Sequence, residues 1–305
     1  MEYEVDPSQV PRGSKMTPGW KGVARRIKNH LSRTSVFLRG IGPGSADRLK
    51  FQCNICGSQC RAAITALGRE TPSCAGCGST VRMRALIYML SMELFGEGLT
   101  IPNFPSRPDI KGIGMSDWDG YAIPLTKKVR YKNTYYHREP KLDITSIDTS
   151  LEGDLDFIVS SDVFEHVVPP VSIAFENARK LLKSNGVLIF TVPYVKDGRT
   201  REHFPDLYDF EIAGKGKSRI LKNRTKEGIE QLFDNLVFHG GDGSTLEMRV
   251  FSESSLIKEF HGAGFNNVKI YRDQVDEFGI IWEHDWSLPV AARIDGGAHE
   301  KNRKN

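Results

Sequence analysis

Two groups of side chains in this sequence have the types and the spacing to do chemistry. Cys53, Cys56, Cys74 and Cys77 form two CxxC pairs separated by seventeen residues, 57 to 73. Tetrahedral zinc accepts four thiolates, and each CxxC turn delivers two of them from one knuckle. Gly57, Gly76 and Gly78 supply the permissive backbone such knuckles need. Four protein ligands leave no open coordination position, so the zinc expected here is structural and folds a ribbon. A disulfide is disfavoured in a chain expected to be cytoplasmic, and a redox CxxC occurs singly at a helix start. Cys60 has no matching partner and reads as a plain small residue. The second group is polar and titratable: Ser161, Asp162, Glu165 and His166 in one short stretch, then His203 and His239 further on. Histidine suits proton transfer near neutral pH.

The elements that must position these groups follow from apolar periodicity. Leu155 to Ser160 is an apolar, β-branched run bounded by turn residues. Val171 to Leu182 places Ile173, Phe175, Ala178, Leu181 and Leu182 near helical spacing, and GVLIFTVPY (186–194) is a second apolar run. Strand, helix, strand is a βαβ unit with parallel strands buried on both faces. The loop from Ser161 to Val167 then lies at the carboxyl end of the sheet, where open α/β sheets bind ligands. Val129 to Tyr136 reads as a further strand, SESSLIKEFHGAGF as a helix capped by Ser252, and NNVKIYRD and GIIWEHDWSLPVAARI as closing strands. The run from Arg82 to Phe95 predicts a ribbon exit helix that packs on the next domain through Leu86, Met89, Leu90 and Leu94.

DFIVSSDVFEHV, the helix ending in RKLLKSNG, and VLIFTVPY together resemble the middle of a class I, Rossmann-like S-adenosylmethionine-dependent methyltransferase. The order of ribbon, arginine-bearing helix and catalytic half also resembles ribbon-bearing methyltransferases found with glycan-assembly enzymes. The resemblance implies an α/β fold with a seven-stranded, mostly parallel sheet preceded by a small zinc ribbon. It implies S-adenosylmethionine as cofactor beside the structural zinc. DIKGIGMSDWDG would hold the first strand and its glycine loop, with Gly112 and Gly114 letting the cofactor approach the backbone. Asp143 and Ile144 resemble the acidic and apolar pair that meets the adenine, although Asp143 also fits as the cap of a turn. Ser161 or Asp162 would lie beside the cofactor, and His166 would face it or cap the following helix.

The expected organisation is a flexible lead with a basic amphipathic helix over 1–45, the ribbon and exit helix over 46–100, a methyltransferase domain over 101–295 and a disordered tail over 296–305. An insertion at 195–250 is an expected acceptor platform carrying His203 as the general base, with His239 as second candidate. The acceptor expected is a small molecule or glycan, a sugar hydroxyl first. Two other readings stand beside it: RNA methylation with the ribbon as a clamp, using Arg61, Arg69, Arg82 and Arg84, and a silent scaffold that has lost the cofactor. No aromatic residues interleave those arginines to stack bases. At 305 residues, 39% hydrophobic and 26% charged with a net charge of +4, the chain has the composition of a soluble globular protein. No apolar run reaches the length of a membrane span and the start lacks a signal-peptide pattern, so a cytoplasmic location is the expectation.

Overall fold

The computed structural model describes residues 48–239 and 245–294. The basic helix expected within 1–45 and the tail at 296–305 lie outside the described residues. In chain order the strands and helices are β1 (Arg48–Gln52), β2 (Gln59–Ala63), α1 (Val81–Phe95), β3 (Arg107–Met115), α2 (Asp119–Thr126), β4 (Val129–Thr134), β5 (Leu155–Ser161), α3 (Ser172–Leu181) and β6 (Leu182–Thr191). The short strands β7 (Tyr194–Val195), β8 (Arg201–Glu202), β9 (Asp209–Ala213), β10 (Ile220–Arg224), β11 (Glu230–Phe233), β12 (Phe238–His239), β13 (Thr245–Leu246) and β14 (Arg249–Ser252) follow. Then come α4 (Glu253–Gly262), β15 (Asn267–Ile270) and β16 (Val290–Arg293).

The main sheet runs β15-β16-β6-β5-β3-β4. Strands β4, β3, β5 and β6 are parallel, and β16 is antiparallel to both of its neighbours. From β3 the chain proceeds to β4 on one side and returns to β5 on the other, so the topological switch point lies between the carboxyl ends of β3 and β5. The alternation expected of strands sorts the core into two layers. Phe157, Val159, Val187 and Ile189 face a cluster that contains Leu86, Met89 and Leu90 of α1. Ile158, Leu188 and Phe190 face a second cluster with Phe175 of α3 and Phe260 of α4.

The ribbon is continuous with the first layer. Phe51, Cys53 and Ile55 share its cluster with Phe157 and Val159, and the exit helix packs through the residues expected. Thr80 caps α1 by accepting from the Met83 amide at 3.4 Å, and Gly96 in the left-handed region ends it. The insertion folds as antiparallel strands over its own small cluster of Phe204, Leu207, Leu221, Leu246 and Met248. Ser252 caps α4 as predicted, accepting from the Ser255 amide at 3.3 Å.

Four expectations need correction. The sheet has six strands among the described residues, not seven. After β4 the chain turns back on itself: Tyr135 donates to the Pro140 carbonyl at 2.9 Å, Leu142 donates to that of Tyr135 at 2.9 Å, and a single bridge joins Tyr135 and Lys141. The predicted strand over 279–294 contracts to Val290–Arg293, where both neighbours offer ladder partners. The second apolar run, read from Gly186, starts earlier as a strand: β6 begins at Leu182 where α3 ends, and Gly186 lies inside it. Gly112 and Gly114 lie within β3 and not in the loop after it. A Cβ at Gly112 would strike the Phe157 ring, and one at Gly114 would strike Tyr131 and Asp117, so sheet packing already requires both glycines.

Candidate functional site

The four predicted cysteines converge, with their sulfurs all within 4.8 Å of one another. Both knuckles read CxxCGS and close alike: Gly57 donates to the Cys53 carbonyl and Gly78 to that of Cys74, each at 2.8 Å, with both glycines at positive φ. The Cys53–Cys77 and Cys56–Cys74 sulfur separations are 3.7 and 3.6 Å. A tetrahedron with metal–sulfur bonds of about 2.3 Å has edges of about 3.8 Å, so the cluster has the size zinc requires. A second feature fits. Arg84 is fully buried, donates to the carbonyls of Ser79, Phe278 and Gly279, and has no carboxylate partner among the described residues. Four thiolates around one divalent zinc carry a net charge of about −2, the counter-charge a buried guanidinium needs. Cys60 comes within 3.5 Å of Cys74, closer to the cluster than its sequence role implied.

At the carboxyl end of β5 the ribbon meets the catalytic half. Arg69 holds Asp162 at 2.9 and 3.2 Å through its two terminal nitrogens, and Arg82 Nε lies 3.2 Å from Asp162 Oδ2. Arg82 also donates to the Ser161 hydroxyl and takes Glu70 at 2.6 and 2.7 Å. Burial pushes the Asp162 carboxyl up, but the two guanidinium charges outweigh it and hold the group below the usual carboxylate range. Asp162 is in the left-handed region, φ 53°, and its amide donates to the Thr191 carbonyl at 2.8 Å.

Across the switch point, the turn after β3 presents Ser116, also at positive φ, and Asp117. Asp117 accepts from the Tyr131 hydroxyl, its amide donates to Asn133 Oδ1 at 2.9 Å, and its Oδ1 lacks a hydrogen-bond partner among the described residues. Burial raises its carboxyl to about 7 against the pull of Tyr131, Tyr121 and Arg82. Asp143 engages its own turn, Oδ1 accepting from the Thr145 amide at 2.9 Å and hydroxyl at 2.7 Å. Ile144 is buried in the second core layer, and Asn177 donates to its carbonyl at 2.8 Å.

The other end of the loop meets the insertion. Glu247 lies between the two predicted histidines: Oε1 is 2.7 Å from His203 Nε2 and Oε2 is 2.7 Å from His239 Nε2. Those hydrogen bonds outweigh burial and hold the Glu247 carboxyl low. A carboxylate only accepts, so both Nε2 atoms donate and each neutral ring keeps its lone pair on Nδ1. The His166 ring centroid lies 5.4 Å from that of His239, and His166 Nδ1 donates to the Leu246 carbonyl at 2.9 Å, leaving Nε2 as acceptor. Burial lowers the His166 pKa. Glu165 is buried with Oε2 unpartnered among the described residues, and burial and the Asp162 charge raise its carboxyl well above the ordinary value. Arg249, fully buried, holds the loop by donating to the Phe164 and Val167 carbonyls at 2.9 and 2.6 Å while pairing with Glu202 at 2.7 Å.

The loop and the two histidines singled out from the sequence lie together in the structure, but the residues that hold them were not foreseen. Arg69 and Arg82 entered the sequence reading only as members of an RNA clamp, and Glu247 and Arg249 were not singled out. Nothing in local spacing joins Arg69 to Asp162, which lie 93 positions apart. Asp117 lies in the DIKGIGMSDWDG stretch but was given no role there.

Residues 96–270 match the family model described as a methyltransferase domain. The chain belongs to that family. The match begins after α1 and ends with β15, so the ribbon lies outside it. No curated protein matches the chain. Among solved structures the chain is similar to an S-adenosylmethionine-dependent methyltransferase from Mesorhizobium loti, with 13% identity over 72% of this chain and 100% of that one, TM-score 0.41. It is also similar to one from Clostridium acetobutylicum, with 13% identity over 61% and 84%, TM-score 0.36. A third is the Burkholderia thailandensis 1,6-didemethyltoxoflavin-N1-methyltransferase, with 13% identity over 61% and 71%, TM-score 0.34. No helix among the described residues is long and apolar enough to cross a membrane.

Proposed function

We propose that this methyltransferase takes its methyl group from S-adenosylmethionine and transfers it to a hydroxyl of a small polar acceptor, a sugar first. The observation that carries the reading is the Glu247 carboxylate held between His203 and His239, against the loop that ends the central strand. The donor crevice is the switch point, with Ser161 and Asp162 on one side and Asp117 on the other. Asp143 Oδ2, free of hydrogen bonds among the described residues, remains available to an adenine amine, which fits the expectation made for it. Bound there, the sulfonium supplies an electrophilic methyl, and what the protein must add is an aligned acceptor that has lost its proton.

His239 is the more open of the pair, its side chain 44% exposed against 10% for His203. It therefore takes the acceptor proton on Nδ1, while Glu247 stabilises the resulting imidazolium and His203 fixes the far carboxylate oxygen. This reverses the order of preference that sequence position alone suggested. The RNA reading loses support because three of the four arginines around the ribbon point inward: Arg84 is buried, and Arg69 and Arg82 are engaged with Asp162 and Glu70. Only Arg61 of the four is exposed.

Calorimetric titration with S-adenosylmethionine and with its demethylated product tests the donor. Turnover of a panel of sugar nucleotides, glycans and RNA tests the acceptor. With cofactor binding intact, His239→Ala should lower turnover by about 10²- to 10⁴-fold. Unchanged turnover would remove the base assignment, and failure of the wild type to bind either cofactor form would favour the silent scaffold.

A further inference from the structure

The ribbon carries two arginines into the crevice at the switch point, where Arg69 also donates to the Ser287 carbonyl at 3.2 Å. Arg82 stands in the first turn of α1 and Arg69 in the ribbon loop, and both reach the carboxyl end of β5. Their charge is answered there by two carboxylates of unlike standing. Asp162 belongs to the sheet, fixed by the Thr191 hydroxyl at 3.1 Å and by its own amide. Glu70 belongs to the ribbon loop, its side chain 51% exposed, and grips Arg82 in the two-point manner a free carboxylate would use. Arg82 is much less exposed, at 15%, and its field reaches Asp117 across the crevice.

We propose that Arg82, with Arg69 beside it, is the subsite for the carboxylate of the donor's methionyl group, and that Glu70 occupies this subsite in the free protein. This rests on the reading of S-adenosylmethionine as donor. That group is a zwitterion at neutral pH, with an ammonium and a carboxylate on one carbon. Asp162, a carboxylate kept ionised at the strand end, accepts the ammonium, and the guanidinium pair receives the carboxylate as Glu70 swings out to solvent. The planar fork of arginine matches a carboxylate at two points, which a lysine cannot do. The zinc ribbon is on this account a wall of the cofactor site, outside the methyltransferase family match but needed to complete its pocket.

The test uses full-length zinc-loaded protein and two ligands, S-adenosylhomocysteine and its decarboxylated analogue, titrated into wild type, Arg82→Met, Arg82→Lys and Arg69→Met. Zinc content and the melting curve of each variant identify any whose ribbon has come apart. Hydrogen bonds to charged groups of this kind correspond to a preference of about 10- to 100-fold, so wild type should favour the ligand with the carboxylate by that factor. Arg82→Met should reduce the preference to about 3-fold or less while leaving the analogue's affinity nearly unchanged, with Arg82→Lys and Arg69→Met intermediate. A wild type that binds both ligands equally, or folded arginine variants that keep the full preference, would overturn the proposal and leave the donor assignment standing. A wild type that binds neither ligand would overturn the donor assignment, and this subsite with it.

Discussion

The loop from Ser161 to His166 is gripped at its two ends by two different additions to the sheet, and they treat its two carboxyls in opposite ways. At the first end, the ribbon brings Arg69 and Arg82 to Asp162 and holds it ionised. At the other, no lysine or arginine among the described residues pairs with Glu165, and burial with the neighbouring Asp162 charge favours the protonated acid. Only three positions separate the two residues. The difference shows that partners, not position along the strand end, set the charge, and it divides one loop into a charged end and a more neutral end.

The largest perturbation removes the first grip altogether. Cys74→Ser, or exhaustive chelation, takes away one corner of the thiolate cluster and the counter-charge of Arg84, and structural zinc sites hold about 10 kcal/mol or more of folding free energy. Loss of the cooperative thermal transition and of cofactor binding together is the expected result, with metal analysis of the wild type giving about one zinc per chain. A cluster-free protein that still melts normally and binds cofactor would detach the ribbon from the site.

Asp162→Asn breaks the grip from the sheet side. It leaves Glu70 as the one carboxylate paired with Arg69 and Arg82 among the described residues, and should lower unfolding free energy at pH 7 by about 3 kcal/mol, read from the denaturant midpoint. Because the folded Asp162 carboxyl titrates below its unfolded value, this contribution is present above about pH 4 and disappears as pH falls through the folded pKa. The gap between wild type and variant should therefore close in acid.

Asp117, on the far side of the crevice, behaves in the opposite sense. Its folded carboxyl is raised from 3.8 to about 7, so the folded state keeps a proton that the unfolded chain loses, and stability falls as pH rises between those values. Asp117→Asn cannot titrate. Its unfolding free energy relative to wild type should climb by about 2 kcal/mol from pH 5 to pH 7. A flat difference across that range would mean that Asp117 is already ionised against Arg82, and that the crevice is charged on both sides.

How much of this was legible in the sequence follows from how local each determinant is. The four-cysteine cluster and the β5–α3–β6 unit could be read directly, because a CxxC knuckle and a βαβ unit carry their spacing within short stretches. Gly112 and Gly114 were misread as loop residues because a glycine that admits a ligand and a glycine that admits the Phe157 ring look alike in sequence. The count of seven strands came from the resemblance and from no stretch of this sequence, and the sheet has six among the described residues. His203 and His239 were picked out by the polarity of their segment, but the carboxylate joining them comes from the turn before β14. The arginine contacts to Asp162 depend on how the ribbon docks, which no local pattern encodes.

The smallest expected effect bears most directly on the contrast between the loop's two ends. Glu165→Gln replaces a buried carboxyl, 1% exposed, by a neutral group of nearly the same shape. Below about pH 4 the carboxyl is protonated in the folded and unfolded states alike, so the substitution trades one uncharged polar group for another, and unfolding free energy there should change by less than about 1 kcal/mol. The His166 Nε2 to Glu165 Oε1 separation of 3.7 Å is too long for a hydrogen bond, so no strong contact is lost with it. As pH rises above 4.5 the unfolded chain loses the proton that folded Glu165 keeps, so the variant should gain on wild type toward neutral pH. A variant that gains in this way keeps the two ends of the loop distinct, while a near-zero difference at every pH would mean that Glu165 ionises at its ordinary pKa, make both carboxyls anions and shift the burden of neutralising them onto the ribbon's arginines.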